Sequence, residues 1–169
     1  MHKKTIPPKN YAILFGVIVL IICACFASFN LYSIYKDNKI SASPLAKTEV
    51  GYDDLKNTTS EMNADAFLVI SYLYDEKVHA NESQIRKLLN RKNLLDNVMY
   101  LDITEEKNDE TFINELNKTL SLKDKLKIEQ FPAVVYYKEG VPAVTMDSKD
   151  HLLNADDFEQ IIDMYQLAS

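Results

Sequence analysis

Hydrophobic and polar positions divide the chain into two unlike parts. From Tyr11 to Tyr35 no residue is charged: YAILFGVIVLIICACFASFNLYSIY. Beyond residue 51 the apolar residues recur at helical and strand spacings instead. Residues 52–62 read as a first helix with a thin apolar face. The run AFLVISYLY, residues 66–74, is apolar, β-branched and aromatic, which predicts a buried strand. Asn81, with Gln84 three places on, predicts a helix cap, and Ile85, Leu88 and Leu89 follow on one face. VMYLDI, residues 98–103, predicts a second strand. Asn108 is placed to cap a helix bearing the stripe Phe112, Ile113, Leu116 and Leu120.

The stretch QFPAVVYYKEGVPAVTM, residues 130–146, predicts a hairpin turning at Glu139 and Gly140. A last helix is capped by Asn154, with Asp157 at its third position and Phe158, Ile161, Ile162 and Tyr165 on one face. The order α, β, α, β, α, β, β, α predicts an α/β fold, a mixed sheet with helices on both faces. Strands joined through helices are expected to be parallel, and the hairpin strands antiparallel. Pro142 cannot donate to a ladder, so its strand is expected at an edge or broken there. The preceding AVVYY, nearly all apolar, suits an interior strand covered on both faces.

The uncharged run changes the cellular picture. Residues 11–29 alone span about 28 Å as a helix, close to the roughly 30 Å hydrocarbon core of a bilayer. Tyr11 at one end and Tyr32 and Tyr35 at the other suit the two interfaces. Lys3, Lys4 and Lys9 precede the run and Lys36 and Lys39 follow it, which favours a cytoplasmic N-terminus and an external C-terminal domain. A cleaved secretory signal is the rival reading. Its apolar region is usually shorter, about 7–15 residues, and ends at small residues, whereas no clean A-x-A site stands here. A lipid-modified cysteine fits poorly, because Cys23 follows Ile22 and Cys25 has Cys23 close before it. The expected layout is a cytoplasmic tail at 1–10, a transmembrane helix at 11–35, a polar tether at 36–51 and one α/β domain at 52–169.

Charge and cysteine content then narrow the chemistry. All 25 acidic residues lie beyond residue 35, against 16 basic ones (the chain's 19 less Lys3, Lys4 and Lys9), a net charge of −9. That sign disfavours nucleic acid and anionic lipid as partners. No Cys follows Cys25. The domain therefore has no internal disulfide and no thiol for redox work.

The proline ahead of a central strand, the hairpin with Gly at its turn and the terminal amphipathic helix together resemble the C-terminal half of the thioredoxin fold. The likeness extends back through AFLVISYLY and VMYLDI to cover roughly residues 50–167. YLDITEEKNDETFINELNKTL and IEQFPAVVYYKEGVPA look like the membrane-tethered thioredoxin-like and bacteriocin-transport-accessory-like proteins of low-GC Gram-positive bacteria. The resemblance implies a thioredoxin-like domain with a cis peptide bond at Phe131–Pro132, lining a groove beside the start of the first long helix.

The departure from that family decides the mechanism. Where thioredoxins carry Cys-x-x-Cys, this chain reads YDEKVHANE, and the register places the motif near residues 75–78. Thiol–disulfide exchange needs a thiolate, which Asp, Glu and Lys cannot replace. The resemblance thus implies the groove without the redox activity. The expected site is a binding one: Asp75, Glu76, Lys77, Val78 and His79 on one side, Phe131 and Pro132 on the other, with no catalytic residue, cofactor or metal. His79 with Asp75 and Glu76, or His79 with His151, is the sole His-based constellation in the domain, and a solvated loop histidine is the simpler reading. The acidic run 104–110 lacks the EF-hand pattern, and no phosphate loop, G-x-S-x-G or H-E-x-x-H occurs.

Beside a blander reading, a domain whose groove is vestigial and whose helix binds a membrane partner, two functions from different classes remain. One is a membrane-anchored extracytoplasmic accessory module that binds a protein or peptide partner. The other is a thiol–disulfide oxidoreductase, or a disulfide-handling accessory of a secretion system, working through Cys23 or Cys25.

Overall fold

A computed structural model describes residues 8–61 and 64–167. Most of the expected cytoplasmic tail, residues 1–7, and Met62 of the expected first helix lie outside the described residues. The chain divides into two units, Met1–Lys39 and Ile40–Ser169.

In the first unit a single helix, α1 (Pro8–Lys39), contains the segment Asn10–Tyr35, which is long and apolar enough to cross a membrane. Its large side chains are exposed on every side, among them Phe15, Leu20, Phe29 and Leu31. A helix apolar all round finds no partner face in water.

The second unit contains α2 (Tyr52–Glu61), β1 (Ala66–Ser71), α3 (Glu76–Arg91), β2 (Val98–Asp102), α4 (Glu110–Thr119), β3 (Ala133–Lys138), β4 (Val141–Asp147) and α5 (Ala155–Tyr165). The four strands form one sheet in the order β2-β1-β3-β4. Strand side chains alternate between faces, and β1 shows both. Phe67 and Val69 pack with Ile85 and Leu89 of α3 and Phe158 and Ile161 of α5. Leu68 and Ile70 pack with Leu55 of α2 and Phe112 and Leu116 of α4. Every β1 residue is buried, as its unbroken apolar run requires. The elements implied by the thioredoxin resemblance are present: a mixed sheet, helices on both faces, a closing hairpin with a terminal helix, and a cis Phe131–Pro132 bond.

Several expectations need correction. β1 and β2 are parallel, but β3 runs antiparallel to β1, with Ala133 opposite Ile70. The crossover rule assumes that the helix alone returns the chain. Here residues 120–132 travel back along the domain after α4, so β3 starts at the end of the sheet where β1 finishes. The first strand stops at Ser71 rather than running to Tyr74. The cap of α3 lies six residues before the expected one: Asp75 caps it, and Asn81 lies inside it, its side-chain amide donating to the Leu153 carbonyl. Asp109, not Asn108, caps α4. The capping box of Asn154 and Asp157 on α5 is as expected.

The hairpin turns on Glu139 and Gly140, at φ 50° and 77°. Both lie in the left-handed region that a two-residue turn matched to strand twist demands. β4 is an edge strand, and its register with β3 shifts beside Pro142.

The segment expected as a tether is not free along its length. Leu45 is fully buried and Val50 nearly so. The Val50 amide donates to the Tyr100 carbonyl (2.9 Å), and the Tyr100 amide to the Thr48 carbonyl (2.8 Å). This short parallel bridge covers part of the outer edge of β2, an edge that would otherwise present unpaired backbone groups.

Candidate functional site

Asp75 is where the chain turns from β1 into α3. Its backbone is extended, and its carboxylate accepts from the amides of Lys77 (2.9 Å) and Val78 (3.0 Å). Those are two of the four amide donors that a helix start leaves unpaired, so the carboxylate is held on the helix and favourably placed at its positive end. Glu76 and Lys77 are exposed beside it, His79 is half-buried, and the His79 amide donates to the Asp75 carbonyl (3.0 Å). Val78 is 3% exposed and belongs to the core rather than to a surface a partner could touch. Tyr74, just before the cap, is exposed at φ 63°, a strained setting for a bulky L-residue. Burial, with the neighbouring Asp75 charge, raises the Tyr72 hydroxyl's pKa, and Lys107 lies over its ring at 4.8 Å.

The other wall is built differently. Phe131 is buried in the second core, its ring 6.2 Å from that of Phe112, and Pro132 is buried behind it. Two residues at the end of β4 brace this turn. Ser148 Oγ donates to the Pro132 carbonyl (2.7 Å) and accepts from the Leu153 amide (3.1 Å). Asp147 Oδ2 accepts from the amides of Glu129 (2.7 Å) and Gln130 (3.2 Å). Pro132 leads into Ala133, the strand partner of Ile70. The turn therefore enters the sheet at the end from which residues 72–75 leave β1. Topology brings the two expected stretches to one end of the sheet: Glu76 and Lys77 are exposed on the first, and Phe131 and Pro132 are buried on the second. The exposed residues beside that turn are Glu129 and Gln130, which the sequence did not single out.

Next to Tyr74 opens a cleft of about 410 Å³, lined by Glu49, Leu73, Asp102, Thr104, Glu105 and Glu106. Thr104 organises it, accepting from the Leu73 amide (2.8 Å) and donating to Asp102. The sequence reasoning missed Asp147, Ser148 and Thr104. Ser or Thr beside an Asp at a strand end is the one signal that could have found them.

His151 does not complete a constellation with His79; its Nε2 lies 2.9 Å from Asp157 Oδ1 at the start of α5. Among the described residues, no group of three or more His, Cys, Asp or Glu side chains is placed to hold a metal. Both cysteines, Cys23 and Cys25, are in α1, unpaired and exposed.

No family model and no curated protein matches the sequence. Among solved structures, the chain is similar to thioredoxin O2 from Arabidopsis thaliana in its oxidized state (10% identity, 70% of this chain and 95% of that one, TM-score 0.45). It is also similar to thioredoxin f2 of Chlamydomonas reinhardtii (13%, 72% and 98%, 0.45) and to a designed protein (15%, 74% and 96%, 0.46). Such likenesses concern form and say nothing of activity.

Proposed function

We propose that this protein is a membrane-anchored binding or accessory module whose thioredoxin-like domain docks an extended segment of a protein partner outside the membrane. One observation carries the reading: the Phe131–Pro132 turn is buried and braced by Ser148 and Asp147, while the helix start at the same end of the sheet holds Asp75, Glu76, Lys77 and Val78 and no sulfur. A groove with that wall and no thiolate can hold a chain but cannot exchange disulfides with it. Lys3, Lys4 and Lys9 before the apolar run support a cytoplasmic N-terminus and an extracytoplasmic domain. The likeness of residues 100–120 and 128–143 to bacteriocin-transport-accessory-like proteins supports an accessory role beside a transport system.

Photo-crosslinkers placed at Glu76 and at Gln130, one on each wall, test the proposal. In intact cells both should give the same saturable adduct, and a crosslinker at exposed Glu159 on α5 should not. Adducts that differ between the two walls, or that form equally from position 159, would count against a groove.

A further inference from the structure

Helix α3 carries a carboxylic acid in a position that its apolar stripe reserves for the core. Val78, Ile85 and Leu89 face inward, and Glu82 stands among them at the i+4 place, 4% exposed. Ser43 Oγ donates to Glu82 Oε2 at 2.6 Å, and the Tyr100 hydroxyl of β2 donates to Oε1 at 3.5 Å. The buried Ser71 hydroxyl of β1 lies within electrostatic reach but outside hydrogen-bond geometry. Asp102 of β2 is the charged neighbour. One short and one long hydrogen bond are few for a buried carboxylate. Burial raises its pKa above the ordinary value, the hydroxyls of Ser43, Ser71 and Tyr100 offset part of that rise, and Asp102 adds to it.

Ser43 belongs to residues 40–50, the segment that follows α1 in sequence. This strap is held at several points. Leu45 is fully buried and its amide donates to Ser43 Oγ (3.0 Å). Arg86 of α3 donates to the Pro44 carbonyl (2.9 Å), Lys47 pairs with Asp96, and residues 48 and 50 bond the backbone of Tyr100. At its start, the Ile40 carbonyl accepts from the amide of Tyr74 (3.2 Å), the residue next to the Asp75 cap. One strap thus closes over Glu82 and holds the loop of the candidate site.

We propose that residues 40–50 form a proton-sensitive strap, seated through Ser43 while Glu82 is protonated and released when Glu82 ionises, which frees the Tyr74 loop. The sign follows from linkage. The seated strap buries the carboxyl and raises its pKa, whereas lifting the strap admits water and returns it toward 4.5. Closure therefore binds the proton more tightly than opening does. It is strongest below the open-state value, weakens as pH rises between the two values, and levels off above the raised one.

Amide hydrogen exchange of the full chain in detergent micelles between pH 4 and 8, corrected for intrinsic rates, tests this. The strap amides of Leu45 and Val50, together with Tyr74, should lose protection relative to Leu68 and Val135 of the sheet. The loss should be about tenfold per pH unit within the window. Glu82→Gln, which keeps an acceptor for Ser43 without the charge, should flatten the profile. A flat profile in the unmodified chain overturns the proposal, and that result needs no variant to fold. So does an equal slope in Glu82→Gln, or a Tyr74 amide that stays protected while the strap opens.

Discussion

The two walls of the candidate groove are opposite in construction. The Phe131–Pro132 turn is buried, packed on Phe112 and held by Ser148 and Asp147. The α3 start presents exposed, charged residues at Glu76 and Lys77 and is fixed by the Asp75 cap and by Val78 in the core. The difference separates what the fold needs from what the site is free to vary. A turn buried in the core is constrained by packing, whatever the activity. A helix start that meets solvent is constrained at its cap and at the one residue it buries, so the chemistry of its exposed positions can change without loss of the fold. That is how a domain of this architecture can lack cysteines and remain well packed.

Graded substitutions sharpen the contrast, read by urea unfolding of the detergent-solubilised chain through near-ultraviolet tyrosine circular dichroism. Phe131→Ala should lower stability by about 3–5 kcal/mol, through lost burial and the cavity left behind. Ser148→Ala should cost about 1–3 kcal/mol, because it leaves the Leu153 amide and the Pro132 carbonyl without their buried partner. On the other wall, Asp75→Ala should cost about 1 kcal/mol, the value of a helix cap. Glu76→Gln should change stability by no more than about 0.5 kcal/mol while altering partner capture from the groove. If Glu76→Gln destabilised as much as Phe131→Ala, the division between a structural and a variable wall would be wrong.

Much of the fold was legible in the sequence wherever apolar spacing was unbroken. AFLVIS and AVVYY gave buried strands, Pro142 marked the edge, and Asn154 with Asp157 marked the last helix start. The failures have physical causes. The true start of α3 is hidden because Glu82 interrupts the stripe Val78, Ile85, Leu89, so the first turns look polar. The strap looks like a tether in the sequence because Leu45 and Val50 are single apolar residues among polar ones, with no period to reveal them. The direction of β3 depends on a long return after α4 that no local pattern encodes. At the candidate site, the sequence could not tell that Val78 and Phe131 face the core, since exposure is set by the tertiary packing around them.

The central proposal is a domain that lies outside the membrane and grips without exchanging electrons, its chain's two thiols lying in the apolar segment Asn10–Tyr35. Labelling of Cys23 and Cys25 with a membrane-impermeant maleimide on intact cells tests it most directly. Neither residue should be modified until the membrane is dissolved. Rapid labelling of either thiol from outside, abolished by prior oxidation, would contradict it.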